Sequence, residues 1–376
     1  MEQAVKTGME AKITEEMVQD LLREQGKEYQ SRWRFNRVAT EDGIRHWAEG
    51  IGDLNPLWQN AEYAAKTRVG GIIAPPSFIF SCAMTAGRLG MPGIHALHTG
   101  TRIIFHKPIK AGTVVIPKGG LSKLIEKQSS FAGRSYLQEM VINYRDPQGE
   151  LLTQMFTHMI RTEREASAGS TKYKGLQQHV YTAAELKEID DAIERHERRG
   201  AAPRYWDDVE VDTELAPLPK GPLTITDVVA FKIGWGFYPF TFANEVRREF
   251  CKRHPDTPVR NHLNIPDSPE RVHFNHELPN KIGIPGFYDY GPQRIAWLLQ
   301  LVTDWAGDDG WIKEARLEVR RPGIEGDVQW CKAKVTDKKL LGGEGVVQLS
   351  LWADNQRGET SARGDASVVL PRRSDR

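Results

Sequence analysis

The chain repeats itself, and glycine and proline carry the repeat. Thr224–Gly236 parallels Thr40–Gly52, with Phe231 at Trp47, Gly234 at Gly50 and Gly236 at Gly52. Val272-His273 then parallels Leu57-Trp58, and Ile284-Pro285-Gly286 parallels Val69-Gly70-Gly71. Gly291-Pro292 falls at Pro76-Ser77, and Pro322 and Gly326 at Pro108 and Gly112. The offset is about 184 residues before Phe237 and about 215 after Pro269, leaving an insertion of roughly 31 residues in the second copy. Glycine marks backbone of positive φ or close approach, and proline fixes φ. An ordered series of both therefore implies a repeated fold unit. Three regions follow: 1–165 as the first unit, 166–205 as linker and helix, and 206–376 as the second unit with its insertion at about 238–268.

Each unit reads as helices followed by strands. Thr14 caps a leader helix with an acidic first turn, and a second helix begins at Thr40 with Ile44, Trp47 and Ala48 on one face. Pro75-Pro76 opens an apolar run over Ser77–Leu89, matched in the second unit by Pro292–Trp305. Runs apolar nearly all round suit a helix enclosed by a sheet. Strands are predicted at Thr101–Phe105, Val114–Pro117, Arg134–Tyr144 and Leu151–Ile160, with a turn at Asp146-Pro147-Gln148-Gly149. Ala166–Ser170 is linker-like, and Thr182–Arg198 is a charged, solvated helix.

Gly52-Asp53-Leu54-Asn55-Pro56-Leu57-Trp58 sits between two helices. Pro56 disfavours a helix across Asn55, so a stiff turn presents the Asp53 carboxylate and the Asn55 amide. With Ala64 and Gly70-Gly71-Ile72-Ile73-Ala74, this stretch resembles the signature of the MaoC-like acyl dehydratases, the (R)-specific enoyl-CoA hydratases. The resemblance implies an α+β chain of two fused hot-dog units, each a long helix wrapped by a curved antiparallel sheet, packed as a pseudo-dimer. It also implies a hydro-lyase that adds or removes water at the 2,3-position of an enoyl thioester. In that family an Asp and a His hold the water, and a backbone N–H at the enclosed helix meets the thioester oxygen.

The two copies divide these parts unequally. The His position is Trp58 in the first unit, whose indole has no proton chemistry at neutral pH; in the second it is His273. The helix-start position is Pro76, which has no N–H, against Gly291, which has one. Asp53 aligns with Phe237, so the second unit lacks the in-register carboxylate. Asp256, Asp267 and Asp289 are its sequence candidates, and each is also a reasonable turn or cap residue. Two readings stand. In one, the second unit is catalytic through His273, Gly291 and Asp289 or Asp267, while the first shapes the acyl pocket. In the other, the chain is a non-catalytic acyl-CoA-binding partner or scaffold. A hot-dog thioesterase is a third possibility. Asp53, Asn55, Trp58, Tyr288 and Trp235 are the expected substrate contacts, and Asp53 is expected to act mainly in holding its own loop. Trp235, Phe237, Tyr238, Phe240 and Phe242 form an aromatic cluster that is either core or a slot for a bulky acyl group.

Composition narrows the partners. The 51 basic and 50 acidic residues nearly balance, which gives no electrostatic case for nucleic acid or an anionic membrane. Cys82, Cys251 and Cys331 are far apart and form no metal-ligand spacing. The start has no apolar h-region and no run is long enough to span a bilayer, so a reduced cytoplasm is expected. No nucleotide fingerprint appears, so no cofactor and no metal are expected. His273, His276 and Asp289 are too loosely spaced for a strong metal motif. The expected ligand is a thioester of coenzyme A or an acyl carrier protein, in a homodimer of double units or a complex with a partner subunit.

Overall fold

Among the described residues ten strands pair antiparallel in one sheet. In the first half these are β1 Tyr29–Gln30, β2 His95–Phe105, β3 Ile116–Ser129, β4 Gly133–Arg145 and β5 Leu151–Thr162. In the second they are β6 Leu218–Lys220, β9 Trp311–Val319, β10 Gln329–Leu341, β11 Glu344–Asn355 and β12 Thr360–Leu370. A separate ribbon joins β7 Val259–Arg260 to β8 Pro266–Asp267 inside the insertion. The computed structural model describes residues 11–31, 35–129, 133–163, 175–236, 243–255, 257–281 and 283–375. Phe237, Tyr238, Phe240, Phe242, Asp256 and the Ala166–Ser170 linker lie outside them.

The strand order reads the same from both ends, β3-β4-β5-β2 meeting β9-β12-β11-β10. β2 pairs with β9 at the centre, Thr101 against Leu317 and Arg102 against Arg316. These are the strands that the repeat makes equivalent, so a pseudo-twofold axis passes between them. The matching helices Glu41–Ile51 and Ile225–Trp235 cross on the same axis. Thr40 and Thr224 cap their N-termini, and Gly52 (φ 65) and Gly236 (φ 74) end them. Both ends need positive φ, which glycine adopts without a Cβ clash.

In the second half Gly291–Ala306 is the enclosed helix, packed on β9, β10, β11 and β12. Ile295, Ala296, Leu298 and Val302 are fully buried against Ala333, Val335, Leu349, Leu351 and Val368. Each buried Ile, Leu or Val contributes about 1.5–3 kcal/mol. The first half differs from expectation. Its helix over Ser77–Leu89 is only a turn at Pro76–Phe78 and a second at Ile79–Cys82, ended by extended Ala83. Tyr144 donates to Ala83 O at 2.6 Å and Ser31 to Thr85 O at 2.7 Å, taking carbonyls away from a helix. Beyond them Gly87, Gly90, Met91 and Gly93 all have positive φ, and Pro92 lacks an N–H. The apolar run is real, but its helix stops at Cys82, and the glycines and proline beyond keep it from resuming.

Candidate active site

A cleft of about 2540 Å³ runs between residues 84–100 of the first half and residues 269–294 of the second. Trp235, His273, Tyr288, Asp289 and Gly291 line it. Asp53, Asn55, Trp58 and Asp267, expected to contact substrate or share the water, do not line it.

The enclosed helix opens into this cleft. Tyr290 is its N-cap in extended conformation, Pro292 stands in its first turn, and no side chain caps it. The Gly291 N–H therefore has no intrahelical partner, and it sits at the positive end of a four-turn helix. Two neighbours hold this start. Arg294 is fully buried and clasps Asp289 with two donors, Nε to Oδ2 at 2.8 Å and Nη2 to Oδ1. Asp289 also accepts from Gly323 N at 2.9 Å, and Arg294 Nη1 donates to Ser361 O at 3.0 Å. Asp289 is thus a structural ion pair beneath the helix start, with both oxygens engaged, and is not the missing acid. His98 of β2 stands against Gly291 itself: a Cβ there would lie 2.5 Å from His98 Nδ1. Only glycine fits.

His273 ends a 3-10 turn, Pro269–His273, that repeats the capping of the first half. Ser268 Oγ accepts from Glu270 N at 3.1 Å as Asn55 Oδ1 accepts from Leu57 N at 3.0 Å. Counted from these caps, two more residues precede His273 than precede Trp58. The His273 ring stacks on Tyr290 at 3.8 Å and meets Tyr288 edge-on at 4.8 Å. Its Nδ1 lies 2.8 Å from Tyr288 O. A carbonyl only accepts, so Nδ1 carries the proton and Nε2 keeps the lone pair. Burial pushes this imidazole down to about 3, so it is neutral.

The carboxylate on the same turn is Glu270, which sequence reasoning missed. Residues three apart in a 3-10 turn eclipse each other, so Glu270 and His273 share a face. Glu270 is 5% exposed, lines the cleft, and accepts from Lys232 at 3.0 and 3.2 Å. The Tyr290 hydroxyl lies 3.4 Å from Glu270 Oε1. Tyr290 therefore touches both groups and immediately precedes Gly291. Lys232 also sits over the rings of Trp235, 5.1 Å away, and Tyr290, 5.7 Å away. Burial holds its ammonium below the usual lysine range, against the pull of Glu270. The available signal was Glu-x-x-His behind a Ser-Pro helix start, together with a lone lysine in an apolar helix.

The first-half turn is closed. Asp53 Oδ1 accepts from Asn55 N at 3.0 Å, Oδ2 from the Trp58 indole at 2.9 Å, and its carbonyl from Gln59 at 2.6 Å. Burial, then the charge of Asp304, raises the Asp53 carboxyl to about 6. Asp267 lies on the surface ribbon, 3.8 Å from Arg247. Among the described residues no three His, Cys, Asp or Glu side chains converge on a metal position. His276 turns instead to Glu325, 2.8 Å away. Nor is any described helix long and apolar enough to cross a membrane.

Known proteins resemble this chain in sequence or in fold. The family described as FAS1-like, dehydratase domain region, matches residues 26–155. A UPF0336 protein of Parafrankia sp. strain EAN1pec is 31% identical over 108 residues, covering 26% of this chain and 69% of the relative. Among solved structures, a MaoC-like dehydratase superposes with a TM-score of 0.65 at 17% identity, over 94% of this chain and 99% of the other. A Mycobacterium tuberculosis protein described as a double hotdog fold superposes at 0.55 and 10% identity, over 97% and 99%.

Proposed function

Because the chain belongs to the family of the UPF0336 proteins and has a double hot-dog fold, we propose that it is a hydro-lyase acting in the Gly291 cleft, adding water to or removing it from the 2,3-position of an acyl thioester. One observation carries this reading: Tyr290 stacks on His273, reaches Glu270 and leads directly into the free N–H of Gly291. A base, a carboxylate and an amide donor thus meet in one cleft.

The proposed chemistry follows from those groups. Glu270 and the Nε2 lone pair of His273 hold a water. His273 takes its proton while oxygen adds to C3. Negative charge moves to the thioester oxygen, where the Gly291 N–H receives it; one such preorganised donor is typically worth about 10²–10³ in rate. The imidazolium returns the proton to C2, so one water is added in all. Lys232 pairs with the Glu270 carboxylate. The first half has no complete set, since Trp58 binds Asp53 and Pro76 lacks an N–H. Its shortened helix leaves residues 84–98 along the cleft, a wall for the acyl chain.

The test is a series of trans-2-enoyl-CoAs of increasing bulk, followed by ultraviolet loss of the conjugated thioester. Loss without release of free CoA is the expected result. Release of free CoA indicates a thioesterase, and no change with any member indicates a binding protein.

A further inference from the structure

Between Cys82 and β2 the chain runs along the cleft without regular structure, and its carbonyls have no ladder to enter. One side chain gathers them. Arg161 of β5 is 2% exposed. Its Nη1 donates to Leu89 O at 3.1 Å and to Gln138 Oε1 at 2.9 Å. Its Nη2 donates to Gly90 O at 3.1 Å, Met91 O at 2.8 Å and Ile94 O at 3.4 Å. Gln138 completes the cage, donating to Leu89 O at 3.0 Å. The planar guanidinium offers these donors as a rigid fan, which a lysine ammonium cannot reproduce.

The segment so held includes Met91 at φ 47, a strained position for a residue with a Cβ, and residues 89–94 all line the cleft. Gly90, Pro92 and Gly93 permit that path, and the fan of bonds from Arg161 holds it in place. The geometry points to Arg161 as a specificity-determining positioning residue: by fixing the 89–94 wall it sets how long an acyl group the cleft admits. This rests on reading the cleft as an acyl-thioester site. Arg161 itself takes no part in the chemistry.

The test measures binding of butyryl-CoA and lauroyl-CoA to the full chain by calorimetry, since saturated thioesters cannot be hydrated. Hydrogen exchange over residues 86–95 is followed in parallel. Arg161→Lys is expected to change the ratio of the two affinities by about tenfold, leave butyryl-CoA within about threefold, and speed exchange at 89–94. An unchanged ratio, or equal losses for both thioesters, overturns the proposal. If Arg161→Lys does not fold, Gln138→Leu must move the ratio in one direction with faster exchange at 89–94, and an unmoved ratio overturns it. A wild type that binds neither thioester overturns it together with the acyl-site reading. A wild type that binds both but hydrates no enoyl-CoA overturns only the hydratase reading, and the affinity ratio still decides the role of Arg161.

Discussion

Gly50 and Gly234, equivalent positions of the repeat, touch each other at the pseudo-twofold axis. A Cβ on Gly50 would lie 3.2 Å from Gly234 Cα and 2.8 Å from Ala230 O; one on Gly234 would lie 2.4 Å from His46 O. The obstacles are backbone, so neither can yield by a rotamer change. Gly234→Ala should force the two helices apart and destabilise the chain by about 1–3 kcal/mol, read by chemical denaturation. An unchanged midpoint would show that the crossing is loose.

Asp53 accepts three hydrogen bonds for its own loop and lies outside the cleft, so Asp53→Asn should keep most activity. Its pH signature is distinct. The folded pKa of about 6 is above the ordinary 3.8, so between those values the folded chain holds a proton that the unfolded chain releases. That contribution is complete below about pH 3.8 and is lost as pH rises through about 6. Wild type should therefore gain stability relative to Asp53→Asn between pH 7 and pH 4. A flat or opposite difference would contradict the buried, charge-crowded carboxyl. A thousandfold loss of activity with an intact fold would make the first half catalytic.

His273 is held neutral by burial, with a pKa of about 3. Its titration should therefore produce no break in kcat/KM between pH 5 and pH 8. The same shift acts on stability. Because the folded pKa lies below the ordinary 6.5, the contribution is present above pH 6.5 and fades as pH falls from there toward 3. A kinetic break near 6.5 that vanishes in His273→Gln would show an exposed, ordinary imidazole.

Glu270 separates charge support from packing. Glu270→Gln removes the carboxylate facing the Lys232 ammonium and should lower stability, with turnover falling by about 10²–10⁴. Adding Lys232→Met should recover much of the stability but not the turnover. If the double variant regains activity, Glu270 belongs to the fold alone.

Much of this architecture was legible in the residues because glycine and proline report backbone conformation directly. Thr40 and Thr224 as caps, Gly52 and Gly236 as stops, and Gly291 as a helix start all follow from local stereochemistry. The first enclosed helix was over-extended because its apolar content runs on past Cys82, whereas Tyr144 and Ser31, both far away in sequence, take the carbonyls of Ala83 and Thr85. Glu270 was hidden too. Its partner Lys232 lies on a helix far away in sequence, and Tyr290, which touches both Glu270 and His273, reaches them only in the folded chain. The pairing of Asp289 with Arg294 likewise appears only when the helix start is seen in three dimensions, although a spacing of five residues hints at it.

The most direct test of the central claim is turnover of one active enoyl thioester by wild type and by His273→Ala. The second-half site predicts a fall of about 10²–10⁴ in kcat with the melting temperature nearly unchanged. Full turnover by His273→Ala, on a thioester that the wild type hydrates, would contradict it.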